Sequence, residues 1–307
     1  MKRGFLFISL LCLLLTSCAS EFWKEPDNSF IDAKFTLVIN DKYTTRSQSG
    51  NVDVVTCAVY DASGNELDFN QTVQIQENKA IYSVKLPNWQ NYRIVFFAFK
   101  SNSSGGSDYY DLSDLKSITI KTADSNIEER EAFCGYLNLE AEDNTNITSF
   151  SQPVVLDRIY AQLNFGIDKD EYDSAQNAGT KVAKTKIKVS NVYKKFSAYE
   201  NMPVGSPSDM VFEFNDVPSG KLVDNDLEYH YLSMNYLLAG SSSDNIYKTD
   251  VEFSWISDDG TASSSPICFT EIPIYKNCRT NVIGKLITNP DIYKISFGEK
   301  VENLQGQ

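Results

Sequence analysis

Apolar residues in this chain alternate far more often than they recur at helical spacing. In FTLVIN, Phe35, Leu37 and Ile39 alternate with Thr36, Val38 and Asn40, the period of a strand with one face buried. YRIVFFAFK (92–100) is apolar at both parities, which predicts a central strand covered on both faces. VDVVTCAVYDASGNELDF (52–69) is an apolar run closed by an Asp-Ala-Ser-Gly-Asn turn. Further strands are predicted in SITIKTA, VVLDRIYAQLNFGI, TKIKVSNVYKKF, DMVFEFNDV, EYHYLSMNYLLAG, KTDVEFSWIS, PICFTEIPIY, RTNVIGKLIT and DIYKISF. One segment, KDEYDSAQNAG (169–179), reads as a helix, with acids in its first turn and Gly179 as its stop. Many short strands separated by turn residues predict an all-β protein of two tandem β-sandwiches. The polar, acidic stretch EAEDNTNITSFSQP (140–153) is the best boundary, giving domains at 34–145 and 146–307.

The first residues lie outside that pattern. Lys2 and Arg3 precede a short apolar run, Gly4–Leu15, too brief to span a bilayer as a stable helix. Leu15-Thr16-Ser17-Cys18 looks like a bacterial lipobox, so residues 1–17 read as a signal peptide and Cys18 as the acylated N-terminus. Residues 18–33 form a polar, acidic tether, similar to the export signals of surface lipoproteins in Bacteroidales-type bacteria. The expected location is the outer membrane through the lipid anchor, at the cell surface or in a fimbrium.

The chain holds 28 basic and 41 acidic residues, a net charge of −13, which disfavours nucleic acid and anionic membrane surfaces as partners. Beyond Cys18 there are four cysteines, Cys57, Cys134, Cys268 and Cys278, with no close CxxC pair. Of the three possible pairings, only Cys57–Cys134 with Cys268–Cys278 keeps each disulfide inside one half.

Catalytic chemistry is thin. The single histidine, His230, alternates with Leu232, Met234 and Tyr236 on a strand face, and no G-x-S-x-G accompanies it. Phosphate-binding glycine loops and calcium loops are absent, and the acids of DNDLE (224–228) and SDDG (257–260) read as solvated turns. No cofactor or metal site is expected, and the chain reads as a non-enzyme. Asp173-Ser174-Ala175 resembles the Asp-Ser/Thr-apolar acceptor for O-glycans, with Ser174 as the acceptor.

PIYKNCRTNVIGKLIT (273–288) resembles the C-terminal signature of Bacteroidales fimbrillins, with Arg279, Thr280, Asn281 and Gly284 at matching positions. Lys276 and Cys278 depart from it, standing where the family often has Arg and Tyr. RIYAQLNFGI and EYHYLSMNYLLAG are similar to two further family segments, and TTRSQSG, AVYDASG and RIVFFAF fall in the family's order. The resemblance spans nearly all of the chain beyond Cys18. It implies transthyretin-like sandwiches and a type V pilus subunit or fimbria-associated lipoprotein that joins other pilus subunits by β-strand addition and serves adhesion. It further implies that an Arg- or Lys-specific protease cuts at Arg46, releasing the strand that carries Phe35, Leu37 and Ile39. The alternative is a stand-alone surface lipoprotein that binds glycans or host proteins on the same scaffold.

Overall fold

The computed structural model describes residues 30–40, 52–87, 90–140, 149–224, 226–238, 247–263 and 265–297. Cys18 and Arg46 lie outside them. The first sandwich contains β1 (Phe30–Ile39), β2 (Val54–Tyr60), β3 (Glu66–Gln74), β4 (Lys79–Pro87), β5 (Tyr92–Phe99), β8 (Phe133–Leu139) and β9 (Ser149–Arg158). Its strand order is β3-β2-β5-β8-β9-β1-β4. Between β8 and β9 only Phe133↔Arg158 and Cys134↔Asp157 pair, and this short hinge lets the sheet fold over on itself. The two layers then share one core, in which Phe35, Leu37, Ile39, Tyr82 and Leu156 meet Val55, Cys57, Ile94 and Phe96.

The second sandwich has a five-stranded layer ordered β15-β16-β10-β19-β20 and a four-stranded layer ordered β14-β11-β17-β18. The first holds β10 (Tyr160–Asp168), β15 (Lys221–Asp224), β16 (Leu227–Leu238), β19 (Arg279–Gly284) and β20 (Tyr293–Phe297). The second holds β11 (Val182–Val192), β14 (Ser208–Asp216), β17 (Tyr247–Ser257) and β18 (Ile267–Ile274). Alternate residues Ala161, Leu163, Phe165 and Ile167 of β10 point into the core against Val182, Ile187, Val189 and Phe253. Helix α1 (Lys169–Asn177) follows β10 directly, within the 169–179 stretch that the acids and Gly179 mark out.

The two sandwiches share a plan that no sequence repeat announces. In each, the first strand sits inside a layer and runs parallel to a late strand. β1 lies between β4 and parallel β9, and β10 lies between β16 and parallel β19.

β5 is buried on both faces, as its apolar run requires. Ile94 and Phe96 enter the first core, while Val95, Phe97 and Phe99 enter a second one on the other side. That second core draws on both halves of the chain, combining Phe97, Tyr110 and Ile118 with Tyr160, Phe196, Met234, Tyr236 and Leu238. A small sheet crosses the same divide: β6 (Tyr110–Asp111) and β7 (Ile118–Ile120) join β12 (Lys195–Ser197) and β13 (Met202–Val204). The halves therefore meet through a common apolar core.

Three sequence expectations are corrected. The polar stretch at 140–153 does not end the first sandwich. β9 begins at Ser149, runs beside β1 from Asp32↔Ser149 to Ile39↔Leu156, and adds Val154 and Leu156 to the first core. The chain passes to the second sandwich only at Ile159–Tyr160. The disulfides do not form: none of the four cysteines is bonded to another. Cys57 pairs with Phe96 and Cys134 with Phe97, on either side of β5, and the two thiols enter opposite faces of the sheet. Two strand spacings put them roughly 10 Å apart, beyond the reach of a disulfide. Cys268 is exposed on β18 and Cys278 is buried just before β19, and no disulfide joins them. Finally, Asp224 is no solvated turn residue. Its side chain is 4% exposed and carries a polar network.

Candidate functional site

β1 is an inner strand with two full hydrogen-bonding flanks. It pairs antiparallel with β4 from Phe30↔Pro87 to Val38↔Lys79 and parallel with β9 on its other side. Ile31, Ala33, Phe35, Leu37 and Ile39 are all buried. The Phe35 ring lies 5.7 Å from that of Phe96 across the sandwich, 6.0 Å from Tyr82 on β4 and 5.9 Å from Phe150 on β9. One ring thus touches both neighbouring strands and the opposite layer. At about 1.5–3 kcal/mol for each large apolar side chain, Ile31, Phe35, Leu37 and Ile39 contribute roughly 6–12 kcal/mol before chain entropy is charged. That is comparable with a whole domain's usual stability of about 5–15 kcal/mol. A sandwich without this strand has an open apolar groove edged by two unpaired backbone ladders. The outward face is polar and weakly held, with Asp32 and Lys85 3.8 Å apart in solvent.

The three segments that carry the fimbrillin resemblance are three adjacent strands, β16, β10 and β19. Their polar residues bond to one another. Arg279 Nε donates to Gln162 Oε1 at 2.7 Å, Asn164 Nδ2 to Asn281 Oδ1 at 2.9 Å, and the Tyr231 hydroxyl to Asn164 Oδ1 at 2.7 Å. Asn281 Nδ2 donates at 3.0 Å to Asp224 Oδ1, which also accepts from the Ser296 hydroxyl on β20. Burial pushes the Asp224 carboxyl up, but the Ser296 and Asn281 hydrogen bonds and the Lys294 ammonium outweigh it, so its pKa lies below the ordinary 3.8. Thr280 Oγ1 donates to the Pro273 carbonyl at 2.6 Å, pinning the turn that leads into β19. Gly284 has φ +148°, and a Cβ there would stand 2.5 Å from the Ile292 carbonyl oxygen, so the turn into β20 needs glycine. These signature residues hold the five-stranded layer together.

The departures from the signature are accommodated in place. Lys276 Nζ donates to Asn201 Oδ1 at 3.0 Å, and burial lowers its pKa. Cys278 is buried in the same turn. Ser174 is exposed on α1, where its hydroxyl donates to the Asp170 carbonyl at 2.7 Å. His230 lies on β16 with its ring stacked on Tyr172 at 3.8 Å, and burial lowers its pKa. Among the described residues, no group of three or more His, Cys, Asp and Glu could hold a metal ion, and no helix is long and apolar enough to cross a membrane.

A polar cleft of about 240 Å³ opens on the outer face of the five-stranded layer, which sequence reading missed. Gln162 of β10, Tyr231, Met234 and Tyr236 of β16 and Arg279 of β19 form its floor, with Arg158 at the end of β9. Its wall comes from the chain between β7 and β8. There Asn126 docks on Met234 through two backbone-anchored hydrogen bonds of 2.8 Å, Asn126 N to Met234 O and Met234 N to Asn126 Oδ1. Glu131 forms a buried ion pair with Arg158 behind that wall.

Solved structures share this architecture. A Bacteroides thetaiotaomicron protein of DUF1812, described as a candidate polysaccharide binding protein, aligns with a TM-score of 0.51 at 15% identity, covering 82% of this chain and 90% of its own. The fimbrial anchor protein Mfa2 from Porphyromonas gingivalis aligns at 0.47 and 10% identity, covering 87% and 97%. A fimbrial assembly protein from Parabacteroides distasonis aligns at 0.42 and 12%, covering 88% and 99%. At such identities the likeness is one of fold, the all-β body expected of a fimbrillin-like chain. No curated protein matches the sequence. The family model of DUF6562, a family of unknown function, matches residues 27–303, and the chain belongs to that family.

Proposed function

We propose that this chain is a structural, adhesion-related component of a fimbria, exported as a lipoprotein acylated at Cys18 and, once the anchored segment is cut away at Arg46, joined to other subunits by strand exchange at the β1 position. The observation that carries this reading is β1 itself, an inner strand with five buried side chains whose removal opens a groove of one strand's width. A second subunit's extended segment, with apolar residues at alternate positions, would fill that groove and pair with both β4 and β9. Arg46 lies seven residues beyond the last residue of β1 and is the first arginine after it, so a cut there separates the strand from β2 without breaking the sandwich.

N-terminal sequencing of surface-extracted protein tests the reading. The expected chain begins at Ser47, and Arg46→Ala leaves an uncut lipoprotein absent from SDS-resistant ladders. A filament-borne chain that still carries residues 18–46 would be an anchor subunit, and removal of β1 would then be wrong.

A further inference from the structure

We infer that the cleft between Asn126–Glu131 and the outer face of the β16-β10-β19 strands binds one neutral pyranose residue of a glycan. This deepens the adhesion reading above by naming the ligand class.

Size comes first. At about 240 Å³ the cleft falls below the roughly 300 Å³ at which drug-sized ligands begin to fit, so it takes a single substituted ring. A nucleotide or a peptide of several residues is too large for it.

Charge comes next. In a chain of net charge −13, the cleft is nearly balanced. Arg158 is paired with Glu131, and Lys221 with Glu228 on β16. The remaining ionic groups on the lining, Glu128 and Arg279, are of opposite sign. Such a lining discriminates against a ligand with a net charge and favours one that both donates and accepts hydrogen bonds.

The polar groups are also held in place, so ligand binding need not order them. Gln162, Arg158 and Glu131 are each at least nine-tenths buried. Arg279 is oriented by Gln162 at 2.7 Å, and Asn126 is locked to β16 and to the Asp216 carbonyl, to which its Nδ2 donates at 2.7 Å. Planar guanidinium, carboxylate and amide groups match adjacent ring hydroxyls, which present a donor and an acceptor side by side. Beneath them half-buried Tyr231, backed by the buried Met234, Tyr236 and Leu222 at the cleft's lining, gives an apolar floor for the C–H face of the ring. One polar edge and one apolar face is the chemistry of a pyranose.

The test is titration of the purified chain, by calorimetry and ligand-observed NMR, with methyl glucoside, galactoside, mannoside and N-acetylglucosaminide. Glucuronate and N-acetylneuraminate are run beside them. At least one neutral glycoside is expected to bind in the millimolar range. Ser219→Trp, on the exposed rim, and Glu128→Gln should each weaken it by about tenfold or more at unchanged Tm. Silence from every neutral sugar, binding of the acidic sugars alone, or binding indifferent to both variants overturns the inference. A chain found in fimbriae that binds no sugar fails this inference only. A sugar-binding chain that is never in fimbriae fails only the proposed assembly role.

Discussion

Asp224 shows how far a single residue can depart from its sequence context. In Asp-Asn-Asp-Leu-Glu it looks like one of several surface acids, yet it links β15, β19 and β20 through Asn281, Ser296 and Lys294. Asp224→Ala strands the amide of Asn281 and is expected to cost about 1–3 kcal/mol of unfolding free energy. The pH dependence has a definite sign. A carboxyl with a folded pKa below 3.8 contributes stability above its unfolded value, and that contribution is lost as pH falls through the folded value. Melting curves between pH 7 and pH 3 should therefore drop more steeply below about pH 4 for the wild type than for Asp224→Asn. An equal slope for both would remove Asp224 from the acid response. The cysteines teach the same lesson in reverse. Pairing them by halves ignores which face of a strand each one occupies, and that parity becomes visible only once β2, β5 and β8 are in register.

Elements were more legible than residues. The apolar runs mark β2, β5 and β10, and the alternating run at 35–39 marks the inward face of β1, because burial leaves a periodic trace. The first half of β9, residues 149–153, reads as part of a boundary because Pro153 and its polar neighbours look like a break, while its second half falls within the predicted strand VVLDRIYAQLNFGI. The structure supplies the reason that proline is tolerated there. At Pro153 β9 has β1 on one side, while its contact with β8 is confined to Asp157 and Arg158, so a missing N–H on the other side goes unnoticed. Gly284 is the corresponding pressure point of the second sandwich. Gly284→Ala should displace Ile292 and Tyr293 and loosen β20, destabilising the protein by about 1–3 kcal/mol. Faster amide exchange confined to β19 and β20 would confirm the cause, whereas uniform exchange throughout the chain would assign the loss elsewhere.

At the scale of the molecule, the sequence predicts two sandwiches but not their union. The shared core of Phe97, Phe196, Tyr160 and Tyr236 gives no signal in either half alone, since each contributes only one wall. Tyr199 reinforces the join: its carbonyl accepts from Arg93 Nε at 2.7 Å and its ring meets that of Tyr60 at 4.9 Å. The Arg93 guanidinium and the Lys116 ammonium lie 4.9 and 4.6 Å from the centre of the Tyr199 ring. Calorimetry of the chain should accordingly show one transition, with equal calorimetric and van't Hoff enthalpies. Two resolved transitions would mean that the shared core contributes little coupling.

The position of β1 also sets a timetable. Thr36 lies opposite Pro153 and Leu37 opposite Val154, so this strand waits more than a hundred residues for its parallel neighbour to exist. Closing so long a loop is slow, and a chain leaving the ribosome or crossing a membrane N-terminus first meets that delay with Phe35 and Leu37 exposed. The strand made earliest can pair with β4 early, but its second flank stays open until β9 has been made. A nascent chain of this kind therefore depends on whatever holds it unfolded in the interval, and its yield should be governed by that holding step more than by the final stability of the sandwich.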